Sequence, residues 1–170
     1  MGRNDGPHEL SQSMGALENP CAREENLRMT ATTRVRVRYA ETDQMGVVYY
    51  ANYLVWFELG RVEFLRNLGF DYSRMETEDG CILPVVEARC RYRAPARYDD
   101  SLSIEAFPLM LRGSVLKFGY RILRETETET TLLAEGETVH VVCDRQLQRC
   151  PLPEPVARLI RAAIPAAESS

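Results

Sequence analysis

The chain has 170 residues, of which 45% are hydrophobic, and its formal net charge is −4. This length suits a single domain, and the composition is normal for a globular protein. A negative chain lacks the basic footprint of a nucleic-acid-binding protein. No run approaches the roughly 20 apolar residues that a membrane span requires. We therefore predict a protein with neither a nucleic-acid partner nor a membrane span.

Cysteine and histidine usage limits the chemistry of the chain. The five cysteines form no CxxC pair and follow no signal peptide. We therefore expect reduced thiols and a cytoplasmic location. The chain has only two histidines, His8 and His140, which argues against a histidine-rich metal site. No GxSxG motif of a serine hydrolase is present either. We predict no metal ion and no other cofactor.

The first 28 residues differ from the rest of the chain. They combine Gly, Ser, Asn, Pro and charged residues without an apolar period, which predicts a disordered leader before a domain over residues 29–170. Two interpretations stay open. The leader is a genuine flexible tail, or translation starts at Met29 and residues 1–28 are not part of the native protein.

The domain opens with a strand and a long helix. Residues 32–40 alternate apolar side chains with arginines, which predicts a half-buried strand. From about residue 50 to residue 68, apolar side chains recur at steps of three and four, which predicts a helix about 28 Å long. Gly69 supplies a left-handed stop. Much of the helix surface is apolar, so we expect it to be buried on more than one side.

Four strand-like runs follow the helix and precede a short terminal helix. The runs are residues 82–93, 101–110, 114–124 and 131–143, and the terminal helix covers about residues 154–164. Turn residues separate the runs. The charged, β-branched segment 125–131 predicts a solvent-exposed hairpin tip. One strand, a long helix and four antiparallel strands predict an α+β fold.

The most informative stretch is residues 39–53, YAETDQMGVVYYANY. It places Asp43 and Gly46 in a loop before the predicted helix. A helix N-terminus offers unpaired N–H groups and a partial positive charge. An acid in the preceding loop can therefore lie beside a carbonyl group that those N–H groups polarise, which suits hydrolysis of an activated acyl group. The alternative is that Asp43 and Gly46 only turn the chain.

Two segments carry a family resemblance. They are RYAETDQMGVVYYANYLVWFELGRVEFL and LPVVEARCRYRAPARYDD. Over about residues 32–161 the chain resembles the hotdog-fold acyl-CoA thioesterases of the 4-hydroxybenzoyl-CoA thioesterase type. The resemblance implies a long central helix wrapped by a curved antiparallel sheet. It also implies an acyl-CoA substrate, homodimers joined edge to edge that often pair into homotetramers, and active sites at the dimer interface.

The resemblance also implies roles for individual residues. Asp43 matches the catalytic acid, either as nucleophile or as general base, and the backbone N–H of Tyr50 matches the oxyanion donor. The residues expected around the substrate are Gly46, Val47, Val48, Tyr49 and Tyr53. For the tyrosine side chains, a role in the core or an interface is the alternative.

Coenzyme A carries phosphates, so basic groups are expected near the mouth of the site. The candidates are Arg112 and Lys117, which flank a predicted hairpin turn; an exposed strand face is the alternative. Thioesterases associated with the Tol-Pal system usually carry histidine where this chain has Tyr50. That difference weakens transfer of their short-chain preference and favours an aromatic acyl group.

Two other functions remain open at this point. One is a hotdog protein that binds acyl-CoA without catalysis, which the retained Asp43 argues against. The other is a hydroxyacyl-thioester dehydratase. Those enzymes pair a histidine with an acid, and the segment around Asp43 contains no histidine.

Overall fold

The computed structural model of the protein describes residues 30–70 and 80–165. The predicted leader and nearly all of the polar connection at 71–80 lie outside the described residues. The leader therefore stays a prediction.

The elements follow one another in the predicted order. They are β1 (Ala31–Arg36), α1 (Asn52–Asn67), β2 (Val85–Tyr92), β3 (Ser101–Arg112), β4 (Val115–Glu125), β5 (Thr130–Val141) and α2 (Glu154–Ala163). The exposed hairpin tip predicted between the last two strands is present. The first strand, however, ends at Arg36. A 3-10 turn over Tyr39–Glu41 follows it and leaves the Tyr39 side chain 78% exposed, where the alternation predicted an inward-facing ring.

The five strands form one sheet in the order β1-β3-β4-β5-β2, and all neighbours are antiparallel. The predicted α+β class is confirmed. β1 and β2 lie at opposite edges of the sheet, and α1 lies between them along the chain. The chain must therefore cross the width of the sheet between them, and α1 lies on one face of the sheet as a result.

The core lies between α1 and this face. Alternate residues of β3 and β4, including Ile104 and Phe118, are fully buried. The ring of Phe57 stacks on that of Tyr120 with 4.4 Å between the ring centroids. Gly60 allows the helix to approach closely, because a Cβ there would lie 3.0 Å from Ile104 Cγ2. Burial of each such large side chain contributes about 1.5–3 kcal/mol.

The other side of α1 remains open in the described chain. Leu54, Val55 and Leu59 are 41%, 49% and 42% exposed. The described residues thus bury the helix on one side, whereas its sequence predicted burial on more than one. Neither helix of the described segments is long and apolar enough to cross a membrane.

A chain of polar groups crosses the core from α1 to the entry of β2. Arg61 Nη1 lies 3.4 Å from the Tyr120 hydroxyl, which lies 2.7 Å from that of Thr138. Thr138 Oγ1 then lies 2.8 Å from His140 Nε2, and His140 Nδ1 lies 3.1 Å from the Leu83 carbonyl oxygen. A guanidinium only donates and a carbonyl only accepts, so each group in this series of hydrogen bonds donates to the next one, from Arg61 towards Leu83. This assigns the proton of a neutral His140 to Nδ1.

The first prediction concerns this histidine. Burial, together with the positive charge of Arg61, lowers the pKa of His140 from 6.5 to about 4, although its bond to the Leu83 carbonyl raises it. Below pH 6.5 the unfolded chain therefore takes up a proton that the folded protein resists. The contribution of the neutral His140 to the free energy of unfolding is fully present above pH 6.5. We expect roughly 3 kcal/mol of unfolding free energy to be lost as the pH falls to about 4.

Chemical denaturation at several pH values measures this loss. Carboxyl groups also titrate towards pH 4, so the comparison is with His140→Gln, which retains a hydrogen-bonding side chain that does not titrate. The wild-type curve should fall more steeply than that of the variant between pH 6.5 and 4. Parallel curves would contradict the assignment.

Candidate active site

The loop between β1 and α1 is held by Glu41, which is 8% exposed. Its carboxylate accepts hydrogen bonds from the Arg38 backbone N–H at 2.7 Å, the Arg38 guanidinium at 3.0 Å and the Trp56 indole N–H at 3.4 Å. Burial alone would raise the pKa of Glu41, but these bonds and the charge of Arg38 hold it below its usual value. The carboxylate therefore stays ionised at neutral pH and ties the loop to the helix.

The backbone of Glu41 fixes the end of the same loop. Its carbonyl oxygen accepts from the Tyr49 N–H at 2.9 Å and from Asn52 Nδ2 at 2.8 Å. Asn52 is the first residue of α1. The start of the helix is thus held by one residue of the preceding 3-10 turn.

Asp43 lies inside this closed loop. Its N–H donates to the Val47 carbonyl at 2.9 Å, and its carboxylate oxygen Oδ1 accepts from the Met45 N–H at 2.8 Å. Gly46 has φ of 72°, a left-handed conformation that favours glycine. Within the described chain, the other carboxylate oxygen of Asp43 takes part in no hydrogen bond. The side chain is oriented and still has one oxygen available.

The helix begins two residues later than predicted, so Tyr50 lies in the turn before it. The Tyr49 carbonyl accepts from the Asn52 N–H at 3.0 Å, and the Tyr50 carbonyl accepts from the Tyr53 N–H at 3.4 Å. The N–H groups of Tyr50 and Ala51 have no acceptor among residues 30–70 and 80–165. The turn therefore offers two unpaired donors at the positive end of α1.

A cavity of about 340 Å³ joins these groups. The residues predicted for the site that line it are Asp43, Val47, Val48, Tyr50 and Tyr53. The loop acid, the start of the helix and an apolar wall thus meet in one place.

The other predicted residues lie elsewhere in the single chain. Gly46 shapes the loop, and the Tyr49 ring packs against that of Tyr50, but neither lines the cavity. Arg112 is exposed at the end of β3. Lys117 forms an ion pair with Glu137 on the sheet face away from α1. Neither of these two basic residues borders the Asp43 cavity within the described chain.

Five further residues line the cavity and were not predicted. They are Met45 of the loop, Tyr92 at the end of β2, and Arg93, Ala94 and Pro95 after it. The Ala96 N–H donates to the Tyr53 hydroxyl at 3.1 Å, and the Val48 N–H donates to the Ala96 carbonyl at 2.9 Å. Residues 92–96 fall in the second segment that carries the family resemblance. Only the sheet topology, however, shows that this segment meets the first.

A larger cavity of about 550 Å³ lies on the opposite face of the sheet. Its walls include Arg91, Phe107 and Arg121. Among residues 30–70 and 80–165, its lining includes neither a loop acid nor the start of a helix. The smaller cavity is therefore the one whose groups can support acyl chemistry: the unpaired N–H groups can stabilise negative charge on a carbonyl oxygen, and Asp43 can act on its carbon or on water.

Comparison with known proteins shows the family of the chain. Residues 37–160 match the thioesterase-like superfamily. The chain belongs to this superfamily. It is 39% identical over 117 residues to the acyl-CoA thioester hydrolase YbgC of Escherichia coli, covering 69% of this chain and 84% of that protein. It is 32% identical over 139 residues to the 1,4-dihydroxy-2-naphthoyl-CoA hydrolase of Picosynechococcus, covering 79% and 94%.

The crystal structure of protein TT1821 from Thermus thermophilus is similar to this chain. It matches with a TM-score of 0.73 and 39% identity, over 81% of this chain and all of that one. The hotdog fold implied by the sequence resemblance is confirmed.

Proposed function

We propose that this protein is an acyl-CoA thioesterase that hydrolyses a thioester to a free carboxylic acid and CoA. The observation that carries the proposal is the meeting of Asp43 with the start of α1 in one cavity of a thioesterase-superfamily chain. The relatives from Escherichia coli and Picosynechococcus, both named as CoA thioester hydrolases, support an acyl-CoA substrate.

In the proposed mechanism the substrate carbonyl oxygen accepts a hydrogen bond from the Tyr50 N–H. Such a donor stabilises the transition state by about 3 kcal/mol. The Asp43 carboxylate either attacks the carbonyl carbon, releasing CoA and forming a mixed anhydride that water hydrolyses, or takes a proton from the attacking water. Both routes end in the acid and CoA. The groups named are sufficient for either route, so we propose a reaction without a cofactor or metal.

An aromatic acyl group fits the walls of the cavity best. The rings of Tyr50, Tyr53 and Tyr92 line it beside apolar residues. Flat rings pack favourably against aromatic side chains. The naphthoyl substrate in the name of the Picosynechococcus relative supports this choice, as does tyrosine instead of histidine at position 50.

We further propose a homodimer formed along β2, which could pair again into a homotetramer. Among the described strands β2 pairs only with β5, so its outer edge is open. Val85 and Val86 on this strand are 49% and 59% exposed, and Leu54 of α1 is exposed as well. A second copy adding its own β2 would cover this edge. We also propose a cytoplasmic location, which the cysteine usage of the sequence supports.

The test of the function is Asp43→Asn. The amide retains the oxygen that accepts from the Met45 N–H but is neither a base nor a nucleophile. With benzoyl-CoA as the first substrate, we expect kcat to fall by about 100-fold or more. Folding and affinity for CoA should not change. The measurements are CoA release, thermal unfolding and calorimetric CoA binding.

The matched control is Asp99→Asn. Asp99 lies in an exposed turn with φ of 68°, which asparagine also adopts, and it pairs with Arg36 away from the cavity. The control should retain wild-type activity. If Asp43→Asn keeps more than about a tenth of the wild-type rate, Asp43 does not have the proposed role. A wild-type protein that binds CoA without hydrolysing any thioester would instead be a binding protein.

Recognition of CoA phosphates is assigned, as a proposal, to Arg112 and Lys117. Because neither lies at the Asp43 cavity of its own chain, they would act at the mouth of a site completed by a second subunit. We expect the double variant Arg112→Gln/Lys117→Gln to raise KM by about 10-fold with little effect on kcat, since each lost phosphate contact is charge-assisted. Initial rates over a range of substrate concentrations measure this.

The control for this pair is Arg34→Gln. Arg34 is an exposed arginine of β1, the edge strand opposite β2, and it pairs with Glu125 at the end of β4. Its loss should leave KM unchanged. An unchanged KM in the double variant would refute the assignment. In that case the next candidates are Arg93, which lines the cavity, and Arg97, whose guanidinium lies 3.4 Å from the Gly46 carbonyl oxygen.

A further inference from the structure

We propose that Tyr92 is a positioning residue for the reaction, and that Ala51 supplies a second backbone donor to the oxyanion. The Tyr92 hydroxyl holds the peptide between Tyr50 and Ala51 and thereby fixes the direction of the Ala51 N–H, which follows that of Tyr50 in the turn beside the cavity. This inference rests on the proposed thioesterase function and adds two residues to its machinery.

The contact that carries the inference joins the end of β2 to the turn before α1. The Tyr92 hydroxyl donates to the Tyr50 carbonyl oxygen at 3.1 Å, across 42 residues of sequence. The other donor to this carbonyl, the Tyr53 N–H, is more distant at 3.4 Å. The Tyr92 ring is itself held edge-on against the Tyr53 ring, with centroids 5.0 Å apart and planes at 85°. The hydroxyl therefore approaches the turn from a fixed position.

The geometry of the peptide bond carries the effect from the carbonyl to the N–H. In a trans peptide the C=O and N–H groups point in opposite directions within one plane. The hydrogen bond from the Asn52 N–H fixes the direction of the Tyr49 carbonyl, and therefore that of the Tyr50 N–H in the same peptide. In the same way, the hydrogen bond from Tyr92 fixes the direction of the Tyr50 carbonyl, and therefore that of the Ala51 N–H. Neither N–H has an acceptor in the described chain. A hydrogen bond to a carbonyl also polarises the N–H of the same amide.

Tyr92 is a donor over the whole range of useful assay conditions. Burial and the neighbouring Cys90 raise the pKa of its hydroxyl to about 12. The hydroxyl therefore keeps its proton at neutral and mildly alkaline pH. The same residue lines the cavity, so its ring and its hydroxyl have separable roles: the ring can contact the acyl group, whereas the hydroxyl bonds to the backbone.

The test is Tyr92→Phe, which removes the hydroxyl and retains the ring. With benzoyl-CoA we expect kcat to fall about 10-fold, less than for outright loss of an oxyanion donor, because the amide remains present but is less well held. KM should stay within about two-fold. Affinity for a trifluoromethyl-ketone analogue, which resembles the oxyanion, should fall by the same factor as kcat. Affinity for a thioether analogue of benzoyl-CoA, which has no acyl oxyanion, should not change.

Two further variants separate the positioning role from packing. Tyr98→Phe removes the hydroxyl of an exposed tyrosine whose ring packs against Tyr39, away from the cavity, and should behave as wild type. Tyr92→Leu also removes the ring and should raise KM in addition to lowering kcat. Thermal unfolding of each variant shows whether the comparison is between folded proteins.

The outcomes distinguish this inference from the function on which it rests. If the wild type hydrolyses benzoyl-CoA and Asp43→Asn does not, the function stands. Wild-type kcat and ketone affinity in Tyr92→Phe would then overturn only the role of Tyr92. Equal losses of affinity for the ketone and the thioether would also overturn it, because they would indicate packing. A wild type that hydrolyses no acyl-CoA would overturn both.

Discussion

The carboxylate of Glu41, buried against Trp56 and bonded twice to Arg38, ties the loop before α1 to the helix itself. An ionised group is costly to bury without such partners, so the loop can adopt few other arrangements without leaving it unsatisfied. The backbone carbonyl of Glu41 also accepts hydrogen bonds from the Tyr49 N–H and from the Asn52 side chain. The position of Asp43 and the direction of the N–H groups at the start of α1 both depend on this anchor.

The proposed chemistry draws on side chains and on backbone in different ways. Asp43 supplies the reactive oxygen, whereas the donors at Tyr50 and Ala51 are peptide groups whose side chains matter less. Rigid backbone dipoles need little reorganisation as charge develops, which is why fixed carbonyls in the turn are valuable to catalysis. Sheet topology contributes here, because β2 returns at the edge opposite β1 and brings Tyr92 to the turn.

The sequence predicted what depends on local pattern. Periodicity identified α1 and the four later strands to within a few residues, and the sequence placed Asp43 in a loop before the helix, where the structure has it. The predicted burial of the Tyr39 ring was wrong, because the alternating pattern of β1 continues into a 3-10 turn without a change of composition. The sequence pattern also missed Tyr92 and the late start of α1, which follow from contacts between distant segments. Arg112 and Lys117 lie away from the cavity of their own chain, and the role proposed for them depends on a second subunit that one sequence does not place.

The central claim is that the thioester carbonyl binds between Asp43 and the N–H groups before α1. A crystal structure of the Asp43→Asn variant with intact benzoyl-CoA tests it most directly. The account predicts the carbonyl oxygen about 3 Å from the Tyr50 nitrogen and the carbonyl carbon next to the substituted side chain. A thioester bound in the cavity on the opposite face of the sheet, or with its oxygen turned away from Tyr50 and Ala51, would contradict it.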